Sequence, residues 1–503
     1  MTANLDNIHE IYNIFIQKNR MHADIITLFR RFHLSRTLSR LKMEKQQGVS
    51  ASLLIVLLCL FRMCHESIGS FYSHSFYGLF ESGKNCFYRM YNRSSMNWRK
   101  LLLRMSVRFM GIVREENAEE KDHAHCFIID DTTLEKTGSC MEGISRVFDH
   151  VTHGFVLGYK LLLLAYFDGR SSIPVDFSLH REKGKEKKYG LTAEERSAQY
   201  HKERNADDAG SERVRELDSD KLSCAIGMLR RAWKAGLKAS YVLCDSWFTE
   251  ERLIAEVKKL SGGCMSVIGM AKMGKRRYRV EGSLLTAHEL VARYERSRGR
   301  KDYKHKTYMK YIRLNGMMGD EYVRIFLVKY GSNQNWNIII SSDPAISFEK
   351  CFETYQVRWN IEVMNKECKQ YLELGKYQGR DFDGQIADCT LCFITYMLLA
   401  LDKRFSEYET MGELFGQHRS DLMALTLWQR ILGMIEVILE TLADIMSIDL
   451  EELAEKVLND EKAAKKYAVM LDALRNYDKA AKKKNSYYVC TGKRNRGIVE
   501  TVL

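Results

Sequence analysis

Strand-like sequence begins abruptly at Cys126, after a long stretch of helical pattern, and this change constrains the fold more than any other feature. Apolar runs of strand length occupy 126–129, 155–167, 173–179, 241–244, 265–270, 306–314, 322–330 and 336–340. Asp168-Gly169 is a suitable hairpin turn. A helical pattern from Lys221 to Ala235 separates two groups of strands. This order predicts an α/β fold with a mixed sheet flanked by helices.

The pattern divides the chain into five predicted regions. They are a helical N-terminal region (1–120), the first part of the core (121–262), a strand-rich basic insertion (263–344), the last part of the core (345–400) and a helical C-terminal region with a basic tail (401–503). Ser50 is a plausible N-cap for a helix over 53–63. The N-terminal region sets arginines among apolar residues, which suits a DNA-binding domain or a plain helical bundle with a basic face.

Two further segments have a recognisable pattern. Residues 181–216 contain ten basic and nine acidic side chains, which is typical of a mobile or helical insertion on the surface. Pro344 is placed to open one long helix that continues to about Leu374.

Positive charge is concentrated in two places. Residues 272–313 hold fourteen Lys or Arg against four acids, and residues 475–496 hold eight against one, within a chain of net charge +13. Tyr278, Tyr294, Tyr303, Tyr308 and Tyr311 are interleaved with the first group. Such clusters suit a phosphate backbone beside stackable bases, whereas the alternative is a solvated basic surface.

Cysteines and apolar runs bear on the cellular environment. The pair Cys389 and Cys392 lies within an apolar helical stretch and has no second pair to complete a zinc site. Residues 1–10 are polar and acidic rather than signal-like, and the apolar runs at 53–61 and 391–401 are shorter than the ~20 residues of a membrane span. We therefore expect reduced thiols, core helices, no membrane association and a cytoplasmic location.

Three acidic positions carry the chemistry. Transfer of a phosphoryl group from DNA uses divalent ions held by carboxylates on rigid elements. Asp130 and Asp131 end the apolar strand at 126–129, and Asp245 ends the strand at 241–244. Each motif also suits an ordinary turn or an incidental acid at a strand end.

The third position is Glu362. On a continuous helix at about 100° per residue, Tyr355, Arg358 and Lys369 lie within about 40° of Glu362, on the same face. A face of this composition can bind metal and phosphate together, whereas a simple helical Arg–Glu pair is the structural alternative.

The spacing Tyr-x2-Arg-x3-Glu-x6-Lys resembles the YREK signature of DDE transposases from bacterial insertion sequences. The Asp-Asp-Thr-Thr and Asp-Ser-Trp-Phe segments lie upstream in the matching order, and 117 positions separate Asp245 from Glu362. The resemblance covers roughly residues 125–390. It implies a ribonuclease H-like catalytic core interrupted by a strand-rich insertion.

The resemblance also implies roles for individual residues. Asp130 or Asp131, Asp245 and Glu362 would hold two Mg²⁺ or Mn²⁺ ions, with Asp130 preferred to Asp131. Tyr355, Arg358 and Lys369 would contact DNA phosphates. Trp336 would stack on a flipped base, although an ordinary strand-core tryptophan is the alternative.

The implied activity is cleavage and strand transfer at the terminal inverted repeats of an insertion sequence. The expected partners are double-stranded DNA, at the element ends and at the target, and a second copy of the chain in a synaptic complex associated with the bacterial nucleoid. A ribonuclease H-like nuclease without strand transfer, or a DNA-binding protein without enzymatic activity, are the alternatives.

Overall fold

The computed structural model describes most of the central part of the chain. The described residues are 28–29, 31–44, 48–65, 67–69, 83–116, 118–119, 123–184, 188–302, 309–330, 335–405, 410–416 and 460. The basic tail at 475–496, together with Tyr303 and Tyr308 of the first basic cluster, lies outside them. Two compact units are present, one of residues 1–87 with 413–503 and one of residues 88–412.

The first unit contains two described helices, α1 (Leu34–Arg40) and α2 (Ala51–Cys64), which pack against each other. The expected N-cap is confirmed, because the Ser50 hydroxyl accepts a hydrogen bond from the Leu53 amide at 3.2 Å. Helix α2 is buried on nearly every side, so it is a core helix. Helix α3 (Asn85–Tyr91) spans the boundary between the two units.

The second unit contains the sheet and the remaining helices. Its strands are β1 (Cys126–Glu135), β2 (Ser145–Asp149), β3 (Gly154–Phe167), β4 (Ser172–His180), β5 (Tyr241–Cys244), β6 (Ser266–Ala271), β7 (Arg277–Val280), β8 (Ser283–Thr286), β9 (Gly299–Asp302), β10 (Met309–Met318), β11 (Glu321–Tyr330) and β12 (Asn337–Ser341). Its helices are α4 (Trp98–Glu115), α5 (Ala193–Ser197), α6 (Ala209–Glu216), α7 (Lys221–Lys234), α8 (Glu251–Ser261), α9 (Ala287–Arg298), α10 (Phe348–Gln356), α11 (Trp359–Tyr371) and α12 (Phe382–Phe405).

The twelve described strands form one mixed sheet in the order β2-β3-β1-β5-β6-β12-β11-β10-β7-β8, with β4 beside β3 and β9 beside β10. Strand β1 is antiparallel to β3 and parallel to β5, and β5 is parallel to β6. The predicted α/β fold is confirmed. Strands of the expected insertion do not form a separate sheet, because β12 pairs with β6 and continues the same one.

The hairpin between β3 and β4 forms at the predicted turn. Asp168 Oδ1 accepts hydrogen bonds from the amides of Arg170 and Ser171, and Gly169 adopts a φ of 96°. Asp168 Oδ2 accepts a hydrogen bond from the buried Arg404 guanidinium of α12 at 2.7 Å. The turn is therefore tied to a core helix as well as closed locally.

Of the helices that the structure describes, α12 is long and apolar enough to cross a membrane by length and composition. Its whole apolar window is buried inside the protein, as expected for a core helix. Cys389 and Cys392 are both buried within it.

The charged segment 181–216 differs in part from the prediction of a surface insertion. It does form helices, but α6 buries Arg213 and Glu216. Arg204 binds Glu142 at 2.6 Å and Asp383 at 3.0 Å, so it joins the segment to two other parts of the core. The surface prediction agrees with most of the described residues of this segment, which are exposed or partly exposed. Arg204, Arg213 and Glu216 depart from it because they pair with partners distant in the sequence, which local composition cannot reveal.

Asp176 on β4 is the centre of one such buried network. Its side chain is 2% exposed and contacts Arg99 at 3.0 Å and Arg231 at 2.7 Å. The surrounding arginines hold the pKa of this carboxyl below its usual range even though burial opposes ionisation. The network fastens α4 and α7 to the sheet.

We predict that Asp176→Asn lowers the free energy of unfolding by about 3–5 kcal/mol, because it leaves buried arginines without their counter-charge. Glu212→Gln is the matched control, since Glu212 contacts the same Arg99 but is 55% exposed. The control should cost no more than about 1 kcal/mol. Urea unfolding followed by circular dichroism measures both values, and equal losses would contradict the assigned role of Asp176.

Candidate functional site

The site is built on the parallel pairing of β1 with β5. The register places Ile129 beside Cys244, so Asp130, the next residue of β1, lies beside Asp245, the first residue after β5. Adjacent strands lie roughly 4.8 Å apart. Two acids that are distant in the sequence therefore meet at the point where β5 ends.

Asp245 is held by the turn that follows β5. Its Oδ1 accepts hydrogen bonds from the amides of Trp247 at 2.9 Å and Phe248 at 3.3 Å. No described residue donates to its Oδ2. Thr249 has the residue type of a helix cap but does not cap α8, because its hydroxyl donates to the Asp245 carbonyl at 2.8 Å. Thr249 thus braces the Asp245 turn rather than helix α8.

Asp130 is the most strongly perturbed acid of the site. Burial raises the pKa of Asp130 to about 7. This pKa is the net result of several effects, of which burial is the largest: the nearby Arg358 guanidinium opposes the rise, and the carboxylates of Asp245 and Asp131 contribute to it. Two carboxylates and little solvent make the ionised form of Asp130 costly unless a cation is present.

Asp131 lies on the opposite face of β1, since successive side chains of a strand alternate. Its carboxylate contacts the Lys221 ammonium at 2.7 Å and the Lys160 ammonium at 3.8 Å. Lys160 also donates to Thr133, the next residue on that face, at 3.0 Å. Asp131 is therefore already neutralised by two lysines, while Asp130 faces Asp245.

The predicted long helix from Pro344 to Leu374 is wrong in detail. Ser347 caps the first helix, α10, which ends at Gln356, and α11 begins at Trp359. The amides of Val357 and Arg358 donate to carbonyls three residues back, as in a 3₁₀ turn. This tighter turn interrupts the α-helix at the point where the Tyr, Arg and Glu of the signature are set, and angles calculated for one continuous helix do not apply.

Arg358 links the acids of the sheet to the acid of the helix. Its Nη1 lies 3.4 Å from Asp130 Oδ2, and its Nη2 donates to Glu362 Oε1. Glu362 is one-third exposed, and its Oε2 has no hydrogen-bond partner among the described residues. One guanidinium therefore contacts carboxylates that are 232 positions apart in the sequence.

Lys369 and Tyr355 complete the face around Arg358. The Lys369 ammonium donates to the Thr132 hydroxyl at 2.7 Å, on the same face of β1 as Asp130, and burial lowers its pKa. None of the described carboxylates lies within ion-pair distance of it. The Tyr355 ring centre is 5.9 Å from the Arg358 guanidinium, and its buried hydroxyl has no partner among the described residues. Both polar groups suit an anionic ligand.

Two tryptophans have different positions relative to this site. Trp336 directly precedes β12 and is half-buried, and its role in base stacking stays a prediction. Trp247, which directly follows the Asp245 turn, is 46% exposed, and the Lys221 ammonium lies 5.4 Å from its ring. Sequence reasoning did not single out Trp247 or Lys221, although the position of Trp247 beside Asp245 was a usable signal.

The donor atoms fit a hard divalent cation only in part. Asp130 and Asp245 offer adjacent carboxylates, and Asp245 Oδ2 and Glu362 Oε2 have no described partner, which suits a ligand that prefers oxygen. Within the described residues, no group of three or more His, Cys, Asp or Glu side chains is arranged to hold a metal ion. The Arg358 guanidinium provides the positive charge next to Asp130 and Glu362.

Comparison with known proteins agrees with this arrangement. Residues 82–311 match the model of the DDE superfamily endonuclease family. The matched span includes Asp130, Asp131 and Asp245 and ends before Glu362. Together with the mixed sheet and its flanking helices, the match agrees with a ribonuclease H-like DDE core and supports a DDE-type transposase family. No curated protein matches the chain.

The raised pKa of Asp130 predicts a pH-dependent penalty in the metal-free protein. The pKa of Asp130 is about 7 in the folded protein, against an ordinary value of 3.8. Between these two pH values the folded protein keeps the Asp130 proton, whereas the unfolded chain has lost it. Stability of the wild type should therefore fall, relative to Asp130→Asn, by up to about 1.4 kcal/mol per pH unit.

Urea unfolding from pH 4 to pH 8, in the presence of a chelator, measures this difference. Asp131→Asn is a second test variant, because it removes a carboxylate that raises the Asp130 pKa and should therefore reduce the pH-dependent loss of stability. It should also lower stability overall by removing the partner of Lys221. If wild type and Asp130→Asn differ in the free energy of unfolding by the same amount at every pH, the raised pKa of Asp130 is contradicted.

Proposed function

We propose that this chain is a transposase that cuts DNA and transfers strands at the terminal inverted repeats of an insertion sequence. The observation that carries the proposal is the meeting of Asp130 and Asp245 on β1 and β5, with Arg358 connecting Asp130 to Glu362. The match to a DDE superfamily endonuclease supports DNA as the substrate.

In this proposal Asp130, Asp245 and Glu362 hold two Mg²⁺ or Mn²⁺ ions. Bound divalent cations supply activation of the attacking oxygen and stabilisation of the leaving oxygen. Asp130 is preferred to Asp131, because Asp131 is bound to Lys221 and Lys160 on the other face of β1. The turn amides that hold Asp245 Oδ1 fix the direction of its second oxygen.

Arg358, Lys369 and Tyr355 are the proposed phosphate contacts. The Arg358 guanidinium presents N–H donors in a plane that matches a phosphate, while the Lys369 ammonium is a compact charge with no described carboxylate within 4 Å. The Tyr355 hydroxyl can donate to the same group. Their role is to orient the scissile phosphodiester beside Asp130 and Asp245, with Trp336 available for a base that leaves the stack.

The proposed reaction is one displacement used repeatedly. Water attacks the phosphodiester at an element end, the 3′-oxygen leaves, and the freed 3′-hydroxyl then attacks either the opposite strand or the target DNA. Joining two ends requires two catalytic sites, so a homodimer in a synaptic complex at the bacterial nucleoid belongs to the proposal.

A nuclease that hydrolyses DNA without strand transfer is the second candidate, because the matched family is described as an endonuclease. Pre-cleaved element ends and a target plasmid distinguish the two. Joined products would support the transposase, whereas hydrolysis without joining would support the nuclease. The proposal expects inverted repeats in the DNA flanking the gene, and these would supply the ends for this assay.

We predict that Asp245→Ala and Glu362→Ala each abolish cleavage of element-end DNA and leave its binding within about threefold of wild type. Each substitution removes a proposed metal ligand but no positive charge. Glu349→Ala, in the first turn of α10, is the control and should cleave normally. Cleavage at the wild-type rate by Asp245→Ala or Glu362→Ala would remove that residue from the site.

We predict that Arg358→Ala weakens DNA binding and reduces the slope of log affinity against log salt by about 1, since one phosphate contact is lost. Arg358→Lys should restore much of the slope because it keeps the charge. Fluorescence anisotropy between low and moderate salt measures the slope. An unchanged slope in Arg358→Ala would show that Arg358 contacts only Asp130 and Glu362 and does not bind a DNA phosphate.

A further inference from the structure

A basic pocket lies beside the acidic site, at the end of β4 and the start of α7. Its volume is about 660 Å³, and its lining contains four cationic side chains but a single carboxylate, Asp218. The cations are Arg181, Lys183, Lys188 and Lys221. Burial lowers the pKa of His180, also in the lining, to about 4, so this side chain adds no charge at neutral pH. The pocket lining therefore has a net positive charge.

One wall of the pocket is held in place by Arg181. Its Nε donates to Asp218 Oδ1 at 2.6 Å, and its Nη2 donates to Asp218 Oδ2. The guanidinium also lies 3.9 Å from the centre of the Tyr189 ring. An arginine fixed on two sides presents its charge in one position, which reduces the entropy lost when a ligand binds.

Lys183 and Lys188 supply positive charge that no described carboxylate neutralises. Both are exposed, and neither has a carboxylate within 4 Å among the described residues. A close approach of the backbone brings their positions together, since a Cβ on Gly184 would lie 2.3 Å from the amide nitrogen of Gly190. Lys188 and Tyr189 adopt φ values of 53° and 65°, a conformation that non-glycine residues rarely adopt.

Lys221 connects the pocket to the candidate site. Its ammonium contacts Asp131 at 2.7 Å, one residue from Asp130, and lies 5.4 Å from the ring of Trp247, which follows the Asp245 turn. A ligand in the pocket would thus bind next to both acidic motifs. It would not compete with Asp130 or Asp245 for their own ligands, because neither lines the pocket.

We propose that this pocket binds backbone phosphates of the DNA substrate, separately from the phosphate contacts of Arg358 and Lys369. The inference rests on the proposed function, since it takes DNA as the substrate. Free lysine ammonium groups beside a fixed arginine suit the non-bridging oxygens of a phosphodiester. Tyr189 is covered by Arg181, so the pocket recognises the backbone rather than a base.

The test uses the full chain and a fluorescent duplex of about 30 base pairs in the absence of divalent metal. Lys183→Ala/Lys188→Ala should bind about tenfold or more weakly at moderate salt. Its slope of log affinity against log salt should fall by about 1.8, which corresponds to two phosphate contacts. Lys183→Arg/Lys188→Arg should bind as the wild type does, because it keeps both charges.

Lys234→Ala/Lys259→Ala is the charge-matched control. These exposed lysines lie in the last turns of α7 and α8, whereas Lys221 and the Asp245 turn lie at or just before the first turns of the same helices. Their C-terminal ends therefore lie at the edge of the sheet opposite Asp130 and Lys221. The control loses the same net charge and should change affinity by less than about threefold.

Three results would overturn the proposal. One is an equal loss in the pocket and control variants, which would reflect net charge alone. Another is unchanged DNA binding by the pocket variant together with lost binding of inorganic phosphate or ATP, which would assign the pocket to a free phosphate compound. The third is that the pocket variant binds DNA, inorganic phosphate and ATP with the same affinity as the wild type. If the wild type binds no DNA and cuts none, the proposed function itself fails.

Discussion

The parallel pairing of β1 with β5 is the constraint on which the candidate site depends. It brings the carboxylates of Asp130 and Asp245 to neighbouring positions at a strand end with limited access to water. Two such charges repel each other, and the raised pKa of Asp130 reflects that repulsion and its burial. An arrangement of this kind is stable only if a positive charge lies close by, and here Arg358 provides it.

The two faces of β1 separate two electrostatic roles. Asp130 and Thr132 face the helical signature, where they contact Arg358 and Lys369. Asp131 faces Lys221, and Thr133 faces Lys160. Because the alternation of a strand is fixed, the consecutive acids cannot share one face. The structure thus offers a physical reason to prefer Asp130 as the proposed metal ligand and to regard Asp131 as part of the neighbouring basic region.

The charged segment between β4 and α7 joins the core to the proposed DNA-binding surface. Arg204 and Arg213 place charges of this segment in buried pairs, and the residues before them form the basic pocket. Buried pairs contribute little net stability against apolar replacements, but they are costly to break and they favour one arrangement of the chain. Among the described cations of the pocket, Arg181 is held by Asp218 and Lys221 by Asp131, which favours binding of a phosphate backbone at fixed positions.

The sequence by itself determined the hairpin at Asp168, the mixed α/β class and eight of the twelve described strands, because hydrophobic period and turn residues act over a few neighbouring positions. It missed β2, β7, β8 and β9 and the helix α9, which are short or rich in charged residues. It also placed Asp245 directly after a strand, as observed. The expectation that Asp130 and Asp131 end the first strand was wrong, because β1 continues to Glu135 through its pairing with β3 and both acids lie in its middle. Only the tertiary structure decided that the strands of the insertion continue the same sheet and that the helix breaks before Arg358. The opposite environments of Asp130 and Asp131, the buried partners of residues 181–216 and the basic pocket are likewise tertiary results. The continued sheet, the partners of Asp130 and Asp131, the buried ion pairs and the pocket depend on contacts between residues far apart in the chain, which local periodicity does not encode.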